Sequence, residues 1–211
     1  NGPYFIKTET DPDGGDTYTI THTSELLSVP FALHAKSVEG LYNFEIGDYA
    51  HGGVVFWLDE SGRHGLVCAV EDASPGVRWH AGTFGVTHAT GNGIGAGEMN
   101  SALIIAGHIA IGDDENPFAA SVCNDYTATV GSDVYGDWYL PSKKELNMMY
   151  DNKAVINATI DAEGGTSIPD EKYWSSTEGV STNAAYVDFS NGQNVWHGKT
   201  FEHRVRAVRK F

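Results

Sequence analysis

The pattern of apolar and polar positions between residues 136 and 151 predicts a buried strand followed by a capped helix. The run WYL at residues 138–140 is typical of a buried strand, and Pro141 ends it because proline has no backbone N–H to donate. Ser142 and Glu145 have the spacing of a capping box, in which each side chain accepts from the other residue's backbone N–H. Apolar residues then recur every three to four positions, which predicts a helix over Lys143–Asp151.

Runs of strand length occur on both sides of this helix. Residues 53–59 and 65–70 are apolar and are separated by a short glycine-containing loop, which predicts a hairpin. Three antiparallel strands are predicted near the C-terminus, at residues 173–177, 185–189 and 204–208. The dipeptide Asn191-Gly192 follows the second of these strands and is a turn signal.

The middle of the chain predicts two helices after a long irregular segment. Residues 71–97 are polar and glycine-rich without periodicity, which is typical of a functional or mobile segment, or of an ordered loop packed by its own aromatics. Residues 98–111 have a wide apolar face that indicates burial on more than one side. Residues 116–123 predict a short helix with Pro117 at its first position.

The N-terminal residues predict a hairpin and a connector helix. Residues 4–7 and 17–20 have strand composition, and the segment between them contains three aspartates at residues 11–16. Those aspartates could bind Ca²⁺, but a plain turn accounts for Asp, Pro and Gly there. Residues 26–36 are apolar around Pro30 and predict a helix that packs either on the same element of neighbouring chains or on its own domain.

The composition indicates a folded, acidic protein. Of the 211 residues, 41% are hydrophobic, and the formal net charge is −15. Such a charge repels phosphate backbones and anionic lipids, so we expect no nucleic-acid partner. No apolar run approaches the roughly 20 residues of a transmembrane helix, so we expect no membrane insertion. The start, Asn1-Gly2-Pro3, is not typical of a signal peptide, and we interpret the chain as mature or trimmed.

The sequence contains no recognisable catalytic set. Cys68 and Cys123 permit one disulfide or two free thiols, and neither lies in a C-x-x-C motif or beside a histidine that would activate it. The nine histidines include no H-E-x-x-H motif. An oxidase-like enzyme would need a reactive cysteine, so we predict that the protein is not an enzyme.

Four motifs together resemble a known family. The runs GGVVF at 52–56, GDWYLPS at 136–142, YWSST at 173–177 and RVRAVR at 204–209 occur in the order seen in the C-terminal domain of the Legionella collagen-like adhesin family. This resemblance covers residues 47 to 211. Residues 4–35 separately resemble the junction segment that precedes such domains in bacterial fibre-like surface proteins and phage-type tail fibres.

The resemblance implies a fold and a function. It implies an α+β, C-type lectin-like domain at residues 47–211, with a mixed, mostly antiparallel sheet and two main helices. Residues 1–46 would form a short β-hairpin and helix, as a stalk or trimerisation segment. The function implied is that of an extracellular or cell-surface bacterial adhesin, a homotrimer that binds a glycan or surface receptor. The alternative is a structural capping module of a fibre without a small ligand.

The resemblance and the residue types together define candidate sites. Sugar recognition combines an aromatic platform with polar partners, and the candidates are Trp79, His80, Glu178, Asn183, Asn191, Trp196 and His197. Each tryptophan is also consistent with a purely structural role. The usual lectin calcium motifs are absent, so calcium-bridged sugar binding is not predicted. Loop carboxylates that could still bind Ca²⁺ are Glu71, Asp72, Asp113, Asp114 and Glu115. To bind sulfated polysaccharides, a chain of this charge would have to concentrate Lys and Arg locally, and strand alternation sends those of the last 13 positions to both faces.

Overall fold

A computed structural model of the protein describes residues 5–10, 20–25 and 43–211. The chain divides into two compact units, residues 1–42 and 43–211. In the first unit, β1 (Phe5–Thr10) and β2 (Ile20–Glu25) pair as antiparallel strands, which confirms a hairpin a few residues further along the chain than predicted. The predicted turn at 11–16 and connector helix at 26–36 lie outside the described residues.

The second unit is an α+β fold with mostly antiparallel sheets. Its strands are β3 (Tyr49–Ala50), β4 (Gly53–Leu58), β5 (Gly65–Cys68), β6 (Ser74–Val77), β7 (Ala128–Val130), β8 (Asp133–Tyr135), β9 (Lys172–Val180), β10 (Asn183–Asp188), β11 (Gln193–Gly198), β12 (His203–Val205) and β13 (Val208–Lys210). Its helices within the described residues are α1 (Ala96–Ile111), α2 (Ala119–Asn124), α3 (Lys143–Asp151) and α4 (Lys153–Ala162).

Two sheets carry most of this unit. The larger has the strand order β11-β10-β9-β12-β6, and β12 runs parallel to β9 while the other neighbours are antiparallel. The second has the order β13-β5-β4-β3 and is antiparallel throughout. Strands β7 and β8 form a separate hairpin. The hairpin predicted from residues 53–59 and 65–70 is confirmed as β4 and β5.

The predicted strand at 204–208 is wrong as a single element, because the chain changes sheets within it. Strand β12 ends at Val205, and β13 begins at Val208 in the other sheet. Between them Arg206 is completely buried, with its guanidinium donating to the carbonyls of Ala69 and Thr166 at 2.9 Å each. The Arg206 Nε also pairs with Asp72 Oδ1 at 2.7 Å, so the residue at the change of sheet is held by contacts in the core.

The capping box predicted at Ser142 and Glu145 is confirmed. Ser142 Oγ accepts from Glu145 N at 3.3 Å, and Ser142 N donates to Glu145 Oε2 at 2.7 Å. The other carboxylate oxygen, Oε1, accepts from Gly95 N at 2.7 Å, at the residue that immediately precedes α1. The single carboxylate of Glu145 therefore satisfies backbone donors at the start of two helices. Burial raises the pKa of Glu145.

Helix α3 packs its apolar face on both sheets. Leu146 and Met149 are completely buried in a cluster with Phe56 of β4, Tyr173 of β9 and Val187 of β10. A second cluster holds Trp79 and Trp174 among other side chains. The two clusters place the hydrophobic core on either side of the strand β9.

Other elements differ from the predictions. Residues 138–140 form only an isolated bridge, between Tyr139 and Val208, because the Leu140 N–H donates to Ser101 Oγ at 2.9 Å instead of to a strand. Helix α2 begins after Phe118, so Pro117 lies before the helix. Helix α4 and strand β11 lie outside every element predicted from the sequence.

Helix α1 is buried on one face, so the predicted burial on more than one side is wrong. Asn100, Ile104 and His108 form the buried face. Met99 and Ile109 are 64% and 77% exposed. The apolar residues of this helix therefore lie partly in the core and partly on the exposed face of the helix.

Candidate functional site

A cleft of about 570 Å³ opens beside the connection between β11 and β12, and we call it the His197 cleft. It is lined by Pro75, Glu171, Lys172, His197, Phe201, Glu202, His203 and Arg204. These residues come from β11, from the turn after it, from β12, and from the starts of β9 and β6. The fold thus brings together segments almost 130 residues apart in sequence.

The turn between β11 and β12 is anchored by backbone hydrogen bonds. Lys199 N donates to Thr182 O at 3.0 Å, Trp79 N donates to Lys199 O at 2.9 Å, and Phe201 N donates to Gly198 O at 3.1 Å. The short turn therefore holds Phe201 at a defined place over the end of the sheet.

Phe201 and His197 form an exposed aromatic platform. Their rings stack with centroids 3.8 Å apart and an interplanar angle of 20°. Phe201 is 53% exposed. Because only one face of the phenyl ring lies against the imidazole, its other face is open to a ligand.

His203 supports this platform from beneath. It is only 8% exposed, and its ring lies 4.4 Å from Trp174 and 4.7 Å from Tyr186, measured between centroids. His197 Nδ1 and His203 Nε2 are 2.9 Å apart, which is a hydrogen-bond distance. The platform is therefore tied to the core through a pair of imidazoles.

Both histidines of this pair are neutral near pH 7. Burial, then the neighbouring His197 and Lys172, lower the pKa of His203 to about 4. Burial and Lys172 also lower the pKa of His197. Neutral imidazoles can each donate one hydrogen bond and accept another.

The charged groups of the His197 cleft balance one another. Lys172 and Arg204 are the cations, and Glu171 and Glu202 are the anions. Arg204 Nη1 donates to Asp72 Oδ2 at 2.9 Å, and this hydrogen bond raises the pKa of Arg204. The cleft thus offers donors and acceptors without a net charge from its own lining.

Trp196 lies on a different surface from His197. Successive residues of a strand point to opposite faces, and Trp196 packs against Gly179, where an added Cβ would lie 2.8 Å from its ring. The Lys143 ammonium is 5.2 Å from the Trp196 ring centroid, and the tryptophan is 49% exposed. The sequence places Trp196 and His197 in one candidate site, whereas the structure places them on different surfaces.

Trp79, His80 and Glu178 lie in the core, which disagrees with their prediction as ligand contacts. Trp79 has no exposed surface, and its indole N–H donates to Ser175 O at 2.8 Å. Glu178 forms a completely buried ion pair with Lys199. These residues stabilise the fold, and because their side chains are buried they present no surface that a sugar could contact.

The buried ion pair fastens the long segment predicted at residues 71–97. Both Glu178 oxygens accept from Thr87 N, at 3.0 and 2.9 Å, and Lys199 Nζ donates to Gly85 O at 3.0 Å. The ammonium also lies 4.4 Å from the Trp79 ring centroid. The segment is therefore ordered, but it contains β6 and is held by a buried ion pair rather than by its own aromatics alone.

The two predicted asparagines organise turns at the ends of β10. Asn183 Oδ1 accepts from Val180 N at 3.1 Å, and Asn191 Oδ1 accepts from Gln193 N at 2.9 Å. Gly192 has a φ of 74°, which an L side chain rarely adopts, so the predicted Asn-Gly turn is confirmed. Neither asparagine lines the His197 cleft.

The five carboxylates considered for Ca²⁺ do not form a common ligand set. Asp72 pairs with Arg204 and Arg206, and Asp114 pairs with Arg78, whose hydrogen bond lowers the Asp114 pKa. In the described part of the chain, no three acidic, histidine or cysteine side chains are placed to hold a metal ion. Calcium binding therefore stays a prediction.

Asp113 and Glu115 line a second cleft, of about 540 Å³. Its other lining residues include Phe118, Asp125 and Tyr126. Asp113 Oδ1 accepts from Glu115 N at 2.7 Å, which is a local turn contact. The cleft is acidic, but none of the predicted aromatic contacts lies in it.

Cys68 and Cys123 are both buried and free, so the disulfide alternative is wrong. Burial raises the pKa of the Cys68 thiol to about 11 and raises that of Cys123 as well. Thiols with such pKa values are protonated near pH 7 and are poor nucleophiles. They pack in separate core clusters.

Of the residues that line the cleft, only His197 is a candidate from the sequence, and the others are Pro75, Glu171, Lys172, Phe201, Glu202, His203 and Arg204. The signal that was present is the density of aromatic and histidine residues between 196 and 203. Because β11 is not predicted from the sequence, the alternation of its side chains between two faces could not show which of them lie together.

The family model described as the Lcl C-terminal domain matches residues 68–209, more than half of the chain. No curated protein matches. A solved structure of a fimbrial protein from Bacteroides ovatus ATCC 8483 is similar in fold, with a TM-score of 0.51 and 16% sequence identity.

That likeness covers 84% of this chain and 41% of the fimbrial protein, so this chain spans less than half the length of that relative. Among the described residues, the helices are too short or too polar to span a bilayer. The chain belongs to the Lcl C-terminal domain family, the adhesin-related family that the order of its four sequence motifs predicts.

Proposed function

We propose that this protein is a non-enzymatic, extracellular binding domain that attaches a bacterial surface fibre or phage-type tail fibre to a glycan or receptor through the His197 cleft. The observation that supports it best is the exposed Phe201 ring, stacked on His197 within a cleft of about 570 Å³. A C-type lectin-like fold and a homotrimer are parts of the same proposal, and they rest on the family resemblance.

The lining of the cleft has the chemistry that sugar recognition needs. The open face of Phe201 can cover the C–H face of a pyranose, and its exposure of 53% leaves room for that contact. Lys172 supplies hydrogen-bond donors, while Glu171 and Glu202 supply acceptors for hydroxyl groups. An aromatic face flanked by both donors and acceptors is suited to a polyhydroxylated ligand.

Rigidity of the platform favours binding because little ordering is required when the ligand arrives. His203 is packed between Trp174 and Tyr186, and it is hydrogen-bonded to His197. Side chains that are already fixed lose little conformational entropy on binding, which would otherwise cost about 0.5–1.5 kcal/mol for each mobile one.

Phe201→Ala tests the proposal against a matched variant, Phe84→Ala. Both phenylalanines are about half exposed, but Phe84 does not line the His197 cleft. We expect Phe201→Ala to lower glycan or host-cell adhesion about two- to tenfold without changing the melting temperature, since an aromatic contact contributes about 0.5–1.5 kcal/mol. Phe84→Ala should retain adhesion.

Two results would contradict the proposal. One is full adhesion by the Phe201→Ala protein. The other is a wild-type protein that binds no glycan on an array and no host cell, which would favour the structural capping module.

A further inference from the structure

We propose that a single buried water molecule bridges His80 Nε2 and the imidazole of His108, and so links the loop at residues 80–87 to the last turn of α1. Neither histidine lines the His197 cleft, so this site is separate from the proposed adhesion site. Three features of the molecule support it: the polar atoms of the two rings, the distance between the rings and the charges around them.

His80 has one ring nitrogen with a partner and one without. The side chain is buried, with only 3% of the residue exposed. Its Nδ1 accepts a hydrogen bond from Gly82 N at 2.8 Å, so the proton of the neutral ring is on Nε2. Nothing in the described part of the chain accepts from this buried Nε2–H. A buried donor without an acceptor is costly, so a partner is expected at this nitrogen.

His108 has no partner at either ring nitrogen. It lies in the last turn of α1 and has no exposed surface. Within the described residues, Nδ1 and Nε2 both lack a hydrogen bond. A neutral imidazole presents one N–H and one lone pair, so in either tautomer His108 can bind a water molecule.

A fourth buried polar atom without a partner lies on the same helix. Thr87 Oγ1 has no hydrogen bond within the described residues, and Thr87 packs so closely on α1 that a Cβ on Gly107 would lie 3.3 Å from its side chain. Gly107 is the chain neighbour of His108. Buried waters typically make about three hydrogen bonds to groups that are otherwise unsatisfied, so this cluster has the composition of a water site.

The distance between the rings fits one bridging water. His197 and His203 hydrogen-bond each other directly, and their ring centroids are 5.1 Å apart. The centroids of His80 and His108 are 6.5 Å apart, which is too far for a direct bond between ring nitrogens. Polar groups separated by more than about 3.5 Å are commonly joined by a water that bonds each of them at about 2.9 Å.

The charges around the site favour water over a metal ion. Burial is the largest cause that lowers the pKa of both histidines, so both rings are neutral near pH 7. The carboxylates of Glu178 and Asp114 are already paired with Lys199 and Arg78. Where the structure describes the chain, no third histidine, cysteine or carboxylate joins the two rings in a metal-ligand set.

A crystal structure at high resolution tests the proposal in the wild-type protein. We expect a water oxygen about 2.7–3.2 Å from His80 Nε2 and from one ring nitrogen of His108. Long-range ¹H–¹⁵N spectra should show His80 protonated at Nε2. Rings that hydrogen-bond each other directly, or a well-ordered site without a water, would overturn the proposal.

Oxygen-17 relaxation dispersion counts long-lived buried waters in solution. His108→Leu should hold one such water fewer than the wild type, whereas His64→Leu, which changes an exposed histidine, should hold the same number. His108→Gln keeps a polar group and should retain the water. Equal counts in the wild type and His108→Leu would contradict the bridge.

Urea unfolding gives an independent result. With a bridging water, His108→Leu removes a partner of the water that satisfies His80 Nε2, so the midpoint should fall, and His108→Gln should restore part of the loss. Without it, exchanging an unsatisfied imidazole for an apolar side chain should raise the midpoint, which would overturn the proposal. A rise in melting temperature with equimolar Zn²⁺ that is absent in His108→Leu would also overturn it, because the ligand would then be a metal ion.

Discussion

At the scale of single residues, burial decides which polar side chains act structurally and which can meet a ligand. Glu178 and His197 are both polar residues of the larger sheet, and sequence composition does not distinguish them. The structure places Glu178 with Lys199 in the core, whereas His197 reaches the cleft through the end of β11. A carboxylate beside a buried ammonium is held by its partner, so it is not available to a sugar.

Glu178→Gln should destabilise the protein strongly. The amide can still accept from Thr87 N, but it leaves the Lys199 ammonium buried without a countercharge, which costs about 3–5 kcal/mol. Urea unfolding measures the loss. Asp170→Asn, which removes the exposed partner of Lys153, is the matched control and should change stability by less than about 1 kcal/mol. Equal effects of the two substitutions would contradict the role assigned to the buried pair.

His203 should make stability depend on pH. Its pKa is about 4 in the folded protein and 6.5 in the unfolded chain, so the unfolded state binds more protons between these values. The His203 contribution is therefore complete above pH 6.5 and declines as the pH falls to 4, by up to about 3 kcal/mol.

His203→Gln removes this titration while keeping a polar side chain that can hydrogen-bond His197. Urea unfolding of both proteins between pH 7.5 and pH 4 should show a steeper loss for the wild type. If both proteins lose stability in parallel as the pH falls, His203 does not have the lowered pKa that its surroundings predict.

At the scale of elements, the sequence predicts best where local chemistry is sufficient. The capping box, the hairpin of β4 and β5 and the Asn191-Gly192 turn are encoded within a few neighbouring residues, and all three are confirmed. The change of sheet at Arg206 could not be predicted, because it depends on carbonyls of Ala69 and Thr166 that are distant in sequence.

Helix α4 and strand β11 could not be predicted because neither has a clear local signal in the sequence. Helix α4 follows α3 with only Asn152 between them, and no proline or glycine marks its start. Strand β11 exposes Gln193, Asn194 and Trp196 at the edge of its sheet, so it lacks the buried alternation that identifies a strand. The cleft was hidden for the same reason, since its residues meet only after β11 pairs with β10.

Glu145→Ala should cost more stability than Ser142→Ala. Loss of the Ser142 cap costs about 1 kcal/mol. Loss of Glu145 leaves the backbone donors of Ser142 and Gly95 without their acceptor, at about 1–3 kcal/mol each. Lys144→Ala in the same helix is the control, since its exposed side chain should contribute less than about 0.5 kcal/mol.

Thermal or urea unfolding of the three variants gives the ranking. Adhesion should be unchanged in all of them at temperatures where they are folded, because neither end of α3 lines the His197 cleft. A cost for Glu145→Ala no larger than that for Ser142→Ala would show that the link between the two helix starts adds nothing.

At the scale of the whole molecule, a net charge of −15 and a cleft of balanced charge lead to one expectation about salt. Binding of an uncharged saccharide releases no counterions and involves no long-range attraction, so its affinity should be nearly independent of ionic strength. Binding of a polyanion would have to overcome repulsion by the chain, and that repulsion is screened as the Debye length falls from about 10 Å at 0.1 M salt to 3 Å at 1 M.

The affinity for a neutral saccharide found on the array should therefore change less than about twofold between 0.1 M and 1 M NaCl, measured by calorimetry. A sulfated polysaccharide is the matched probe, and its weak binding should strengthen as salt screens the repulsion. If the affinity for the sulfated polysaccharide instead falls steeply with added salt, a local basic surface dominates the net charge of the chain and governs binding.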